Sequence, residues 1–142
     1  MLIELFARFT PIQRSLISSI SGFLFYGSWA FWVNHTHGIE AAVKAACVQG
    51  SYSFSLTLVM TLLVESLYRL GMRLFEGQLL IQWSTILVSC GIIFSTSWTI
   101  NMIAGTPEIF KTVILGYIIG GIYCFTYVQG LARGKALQTV KI

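Results

Sequence analysis

Aspartate is absent from the 142 residues, and charge of either sign is scarce: nine Lys or Arg and five Glu make up 10% of the chain. An ordinary soluble domain carries about 25% charged residues. So few charges cannot coat a water-facing surface of this size, which excludes a soluble globular enzyme. A hydrophobic content of 56% excludes a disordered tail. Without Asp, no aspartyl dyad or Asp-based metal cluster forms. The net charge of +4 is scattered between apolar runs rather than clustered on one face, so nucleic acid is not an expected partner. Cys47, Cys90 and Cys124 are an odd number with no Cys-x-x-Cys. Quinone-linked disulfide chemistry needs paired, reachable thiols, and near mid-membrane Cys90 and Cys124 serve as small apolar residues. No Gly-rich phosphate loop is present, and no cofactor is expected.

What the chain does have is long uncharged runs. Arg14 to Glu40 encloses 25 uncharged residues, Lys44 to Glu65 encloses 20, Glu76 to Glu108 encloses 31, and Lys111 to Arg133 encloses 21. Crossing a hydrocarbon core of about 30 Å takes roughly 20 apolar residues as a helix. Each gap holds one span and none holds two. Backbone polar groups in lipid must be satisfied within the segment, so the spans are helices. The continuous runs do not read as the short alternating strands of a barrel. The expected fold is all-α and integral to the membrane: a four-transmembrane-helix bundle with spans over 15–34, 45–67, 80–102 and 112–131. Residues 1–13 read as a retained interfacial segment interrupted by Pro11, with no clear signal-peptide pattern. Residues 14–132 form the membrane domain, and 133–142 a basic cytoplasmic tail.

Orientation follows from Lys and Arg in the short loops. Arg8, Arg14, Arg69, Arg73, Arg133, Lys135 and Lys141 fall on one side, and only Lys44 and Lys111 on the other. Both termini are therefore expected in the cytoplasm (N-in, C-in), in a cell membrane that is the inner membrane if the source is bacterial. Trp29, Trp32 and Trp98 then lie near the outer boundary, and Tyr68, Trp83 and Tyr127 near the inner one.

Gly22, Phe25, Ser28 and Trp29 spell Gly-x-x-Phe-x-x-Ser-Trp, and Gly91, Phe94, Ser97 and Trp98 repeat it 69 residues later. Gly, Phe and Trp at i, i+3 and i+7 share one helix face. Two explanations stand: a tandem duplication of a helical hairpin, as in transporters with parallel repeats, or the ordinary preference of Trp and Phe for interfaces and of Gly for membrane helices.

Polar residues form seams. Gln49, Ser53, Thr57, Thr61, Glu65, Arg69 and Arg73 recur every four residues along the second span, following the i±4 ridge of a helix. The first span carries Ser15, Ser18, Ser19 and Gly22. The third carries Gln82, Thr85, Ser89, Thr96 and Thr99, and the fourth Thr112, Gly116, Gly120, Tyr123 and Tyr127. Small and hydroxylated residues let membrane helices approach and hydrogen-bond, so Gly22, Gly91, Gly116 and Gly120 are candidate packing positions. Alternatively the seams enclose a polar groove open at Glu65 and Arg69. Its candidate binding residues are Gln49, Ser53, Thr57, Glu65, Arg69 and Gln82.

No charged residue lies near mid-membrane, where one would suggest proton relay, and the first carboxylate after Glu4 is Glu40, beyond the first span. That counts against proton-coupled export. His35 and His37 share a loop with Glu40 and could supply metal ligands or a pH-sensitive patch. Asn34-His35-Thr36 matches a glycosylation acceptor.

Two functions remain. One is a small transporter-like protein that holds or moves a lipid or amphipathic solute in the polar seams, as a homo-oligomer among membrane lipids. An inner ring of Arg69, Arg73, Arg133 and Lys135 would suit anionic head groups, although the positive-inside rule alone also produces such a ring. The other is a non-catalytic accessory subunit of a larger membrane-protein partner. No acid–base or nucleophile set is visible, so the chain is not expected to be an enzyme.

Overall fold

A computed structural model describes residues 10–140. The chain forms four long helices: α1 (Pro11–Asn34), α2 (Ile39–Leu74), α3 (Gln78–Ala104) and α4 (Ile109–Val140). A single 3₁₀ turn, His35–His37, joins the first two. No strand occurs among the described residues. Each helix contains a stretch long and apolar enough to cross a membrane, and large apolar side chains such as Leu62, Leu87, Ile103 and Ile122 face outward. Water does not tolerate that coat, whereas lipid does, and the protein is a multi-pass membrane protein.

The helices overrun the expected spans, because a helix need not end where the hydrocarbon does. Glu40 in the first turn of α2 and Arg73 in its last complement the helix dipole. Pro11 does not interrupt a helix but begins one. It follows an N-cap at Thr10, whose hydroxyl accepts from Gln13 N at 3.3 Å while Gln13 Oε1 accepts from Thr10 N at 2.9 Å, a capping box with proline just inside it. Residues 1–9 of the expected interfacial segment lie outside the described residues. At the other end α4 continues to Val140, so most of the expected tail prolongs the last helix; Lys141 lies outside the described residues.

The loops are short. Gly105, at φ 70°, closes α3, with its N–H on Met102 O and Thr106 N–H on Asn101 O. This left-handed cap returns the chain at once toward α4. Gly77, at φ 100°, turns α2 into α3.

α1 and α2 pack with their backbones nearly touching. A Cβ placed on Gly50 would lie 3.0 Å from Phe23 O, and one on Gly27 would lie 3.1 Å from Ala46 O. Away from the His35–His37 loop, an apolar core joins α2, α3 and α4 through Met60, Val64, Tyr68, Ile81, Ile86, Ile93, Cys124 and Val128.

Candidate ligand cavity

At the end bearing the His35–His37 and Gly105–Glu108 loops, the bundle is tied by buried amides. Asn34 Nδ2 donates to Ala30 O at 2.8 Å and to Thr112 Oγ1 at 2.9 Å, and Asn34 Oδ1 accepts from Glu108 N at 3.0 Å. Trp29 Nε1 donates to Lys111 O at 2.8 Å. α1 is thus fastened to the start of α4. On the other side Asn101 Nδ2 donates to Gln49 Oε1 at 2.7 Å and to Ser97 O at 3.0 Å, while its Oδ1 accepts from Thr106 Oγ1 at 2.9 Å. α3 is thus fastened to α2. In a low-dielectric interior such connected bonds strengthen one another. Asn34 is fully buried and spent in these bonds, which overturns the glycosylation reading of Asn34-His35-Thr36.

Below this polar lattice α4 crosses α2 diagonally, and the four-residue ladder marks the crossing. Gln49 Nε2 sits 3.7 Å from where a Gly116 Cβ would be. Further along, Thr61 Oγ1 and Tyr123 OH lie 3.0 Å apart, and Tyr127 OH donates to Glu65 Oε1 at 2.6 Å. The steps on α2 and α4 proceed in the same direction, as expected of parallel helices. Between the two ends of the crossing the helices part. They leave a cavity of about 420 Å³, walled by Gln49, Ser53, Thr57 and Thr61 of α2 and by Gly116, Tyr117, Gly120 and Tyr123 of α4. Arg14, Ser15, Ser18 and Tyr26 of α1 and Ile93, Phe94 and Ser97 of α3 complete it. The size falls within the range of about 300–1,000 Å³ usual for small-molecule sites.

The cavity is closed at one end and open at the other. Gln49, Ser97 and Val113 are buried at its inner end, whereas Ser18 and Tyr123 are exposed at its mouth. Ring contacts stiffen the far wall, where Phe94 meets Tyr117 edge to face at 5.3 Å and Trp98 at 5.6 Å.

No family model matches this chain, and neither curated proteins nor solved structures give a match. The cavity has to be read from its own residues.

Of the candidate binding residues, Gln49, Ser53 and Thr57 line the cavity. Glu65 does not: its carboxylate faces Tyr127. Arg69 is exposed and makes no ion pair with Glu65 among the described residues, and Gln82 is half-buried on α3 away from the cavity. The opening therefore lies at Ser15, Ser18 and Tyr123 rather than at Glu65 and Arg69. Each four-residue step on a helix turns about 40°, so by Glu65 the ladder has rotated roughly 160° from Gln49. Among the glycines, Gly116 and Gly120 line the cavity, and a Cβ placed on Gly22 would lie 3.2 Å from Thr57 Oγ1. Gly91 has open space beside it and meets no neighbouring helix.

The histidines part company. His35 Nδ1 engages Trp32 O, while His37 Nε2 lies 3.3 Å from Glu108 Oε1 and Lys111 Nζ 3.0 Å from Glu108 Oε2. The lysine, then the histidine, hold the Glu108 carboxyl below the usual carboxylate range. No three metal-ligand side chains converge among the described residues.

Sequence reasoning passed over Asn101 and the aromatic walls Tyr26, Tyr52 and Tyr117. The signal in the sequence is spacing alone: Asn34 and Asn101 each fall four residues after a small residue, Ala30 and Ser97.

Proposed function

We propose that this membrane protein is a transporter-like receptacle, holding or moving a lipid or small amphipathic solute in the cavity between α2 and α4. The carrying observation is the cavity itself. About 420 Å³ is bounded on one side by the amide and hydroxyls of Gln49, Ser53, Thr57 and Thr61 and on the other by Tyr117, Ile119 and Tyr123. Thr57 Oγ1 is satisfied by Ser53 O and Thr61 Oγ1 by Tyr123 OH, but a packing seam would also have paired Gln49 Nε2 and Ser53 Oγ, since buried polar atoms without partners are costly. The reading is non-catalytic, with both termini cytoplasmic and the mouth of the cavity opening on that side. A homo-oligomer would shield its outward hydroxyls.

A second reading, an accessory subunit of a larger membrane partner, draws on the outer face of the first hairpin. There a shallow groove of about 310 Å³ runs over Gly27, Ser28 and Ala46, where a partner helix could approach closely.

Native mass spectrometry of the protein released gently from its own membrane separates the two. The receptacle reading expects a specific lipid or solute to be retained by the wild type and lost by Gly120→Phe, which fills the cavity. An empty wild type, or a filled variant that keeps the same molecule, would overturn it. A single copy bound to a larger protein would establish the subunit reading.

A further inference from the structure

We infer that the cavity selects an uncharged ligand that presents a carbonyl oxygen to Gln49 Nε2 at its closed end. This rests on the receptacle reading above and names the chemistry of what is held. Gln49 is 1% exposed. Its Oε1 is fully engaged, accepting from Asn101 Nδ2 at 2.7 Å and from Ser97 Oγ at 3.4 Å. The Asn101 bond fixes which way the carboxamide faces, because Asn101 Nδ2, itself oriented by Ser97 O and Thr106, needs an acceptor. The Nε2 group is turned toward Gly116 and the cavity. No hydrogen-bond partner for it exists among the described residues. The Ser53 hydroxyl, 5% exposed and one helical turn along the same wall, has no partner either.

A buried amide donor left unmade costs the full desolvation of the group. The other two buried amides avoid that cost: Asn34 and Asn101 spend both amide atoms, whereas Ser89 Oγ, away from the cavity, is buried without a partner among the described residues. Gln49 alone of the three is held by its oxygen and offers its nitrogen to the cavity. A donor with no charge behind it calls for an acceptor. No charged side chain lines the closed end; among the lining residues only Arg14, at the mouth, is charged. A carboxylate or phosphate at Gln49 would be an uncompensated buried ion, whereas an ester, amide or ketone oxygen is satisfied by Nε2 and Ser53 Oγ. The apolar remainder of the ligand then lies along Ile119, Phe94 and Tyr117 toward the mouth.

The test compares two uncharged probes that lack donors and differ only in the carbonyl: radiolabelled methyl laurate and the matching lauryl methyl ether. The ester should be retained about fivefold more tightly, the effect of one neutral hydrogen bond of ordinary strength. The stretch of a ¹³C-labelled ester carbonyl should move to lower wavenumber than in empty micelles. Gln49→Leu should erase both the preference and the band shift, and Ser53→Ala should reduce the preference. If Gln49→Leu fails to fold, the wild-type preference and band position decide, with Gly120→Phe as the control for occupancy. Equal retention of the two probes with an unshifted band overturns the carbonyl inference. If Gly120→Phe still expels both probes in that case, the receptacle reading survives. If neither probe binds, or the filled variant holds both, the receptacle reading falls with it.

Discussion

The two hairpins carry the same eight-residue pattern, yet its residues meet different neighbours. In the first hairpin Gly22 packs against Thr57, Phe25 and Ser28 face outward, and Trp29 reaches across to Lys111 O. In the second, Gly91 faces open space, Phe94 lines the cavity, and Ser97 is buried on Gln49. The α1–α2 seam closes to backbone contact at Gly27 and Gly50, while α3 and α4 meet through side chains, as where a Cβ placed on Gly120 would lie 3.6 Å from Ile93 Cδ1. One likeness does survive in space. The last turn of each first helix ends in a buried Asn that binds a helix of the other hairpin, Asn34 to α4 and Asn101 to α2. The shared pattern thus meets two packings: the first hairpin is a close backbone pair, and the second supplies the aromatic side of a cavity.

The largest expected effect tests that contrast directly. Gly50→Val should destabilise the protein by about 3 kcal/mol, because the new side chain meets the Phe23 carbonyl and ring at 3.0 and 3.1 Å and backbone cannot move aside cheaply. Gly91→Val, in open space, should change stability by less than about 0.5 kcal/mol. Thermal loss of helix signal in detergent reads both. Equal losses at the two glycines would mean that the hairpins pack alike after all.

A smaller effect asks whether the asparagine likeness is energetic as well as geometric. Asn101→Leu strips Gln49 Oε1 of its shorter partner and leaves the Thr106 hydroxyl to find another. Asn34→Leu does the same to Glu108 N and Thr112. Each should cost about 1–2 kcal/mol, at the upper end for interhelical bonds in membranes. They should differ in one respect: only Asn101→Leu should also weaken ligand retention, since it frees Gln49 to rotate. Equal loss of retention in both variants would remove Gln49 from its proposed position at the closed end.

How far the sequence disclosed this arrangement depends on what each pattern encodes. Charge spacing encodes length, and length alone sets the number of spans, so the four helices were legible. The ladder from Gln49 to Thr61 was legible as a wall because i+4 spacing stays near one face for two or three steps. Glu65 and Arg69 lie off that wall, since the same spacing drifts around the axis as it lengthens. The closeness of Gly27 to Ala46 was not legible, because it depends on how two helices cross rather than on either one alone. Nor was the orientation of the Gln49 carboxamide, which is decided by Asn101, 52 residues away.

The smallest expected effect lies in the loops, where the hairpins touch outside the membrane spans. Glu108 accepts from Lys111 in its own hairpin and meets His37 of the other, and these partners lower its pKa, the lysine more. A lowered carboxyl pKa stabilises the folded state at pH values above the ordinary carboxylate range, about 4.3. That contribution is lost as pH falls through the lowered value in the folded protein. The Glu108 side chain lies at the surface, 31% exposed, so solvent screens the interaction. Glu108→Gln should therefore lower the melting temperature slightly at pH 7 and low salt, and not at all once acid has protonated the wild-type carboxyl. A difference that persisted unchanged into acid would mean that the Glu108 charge is not what the substitution removes, since the Glu108 backbone N–H on Asn34 Oδ1 is the same in both proteins.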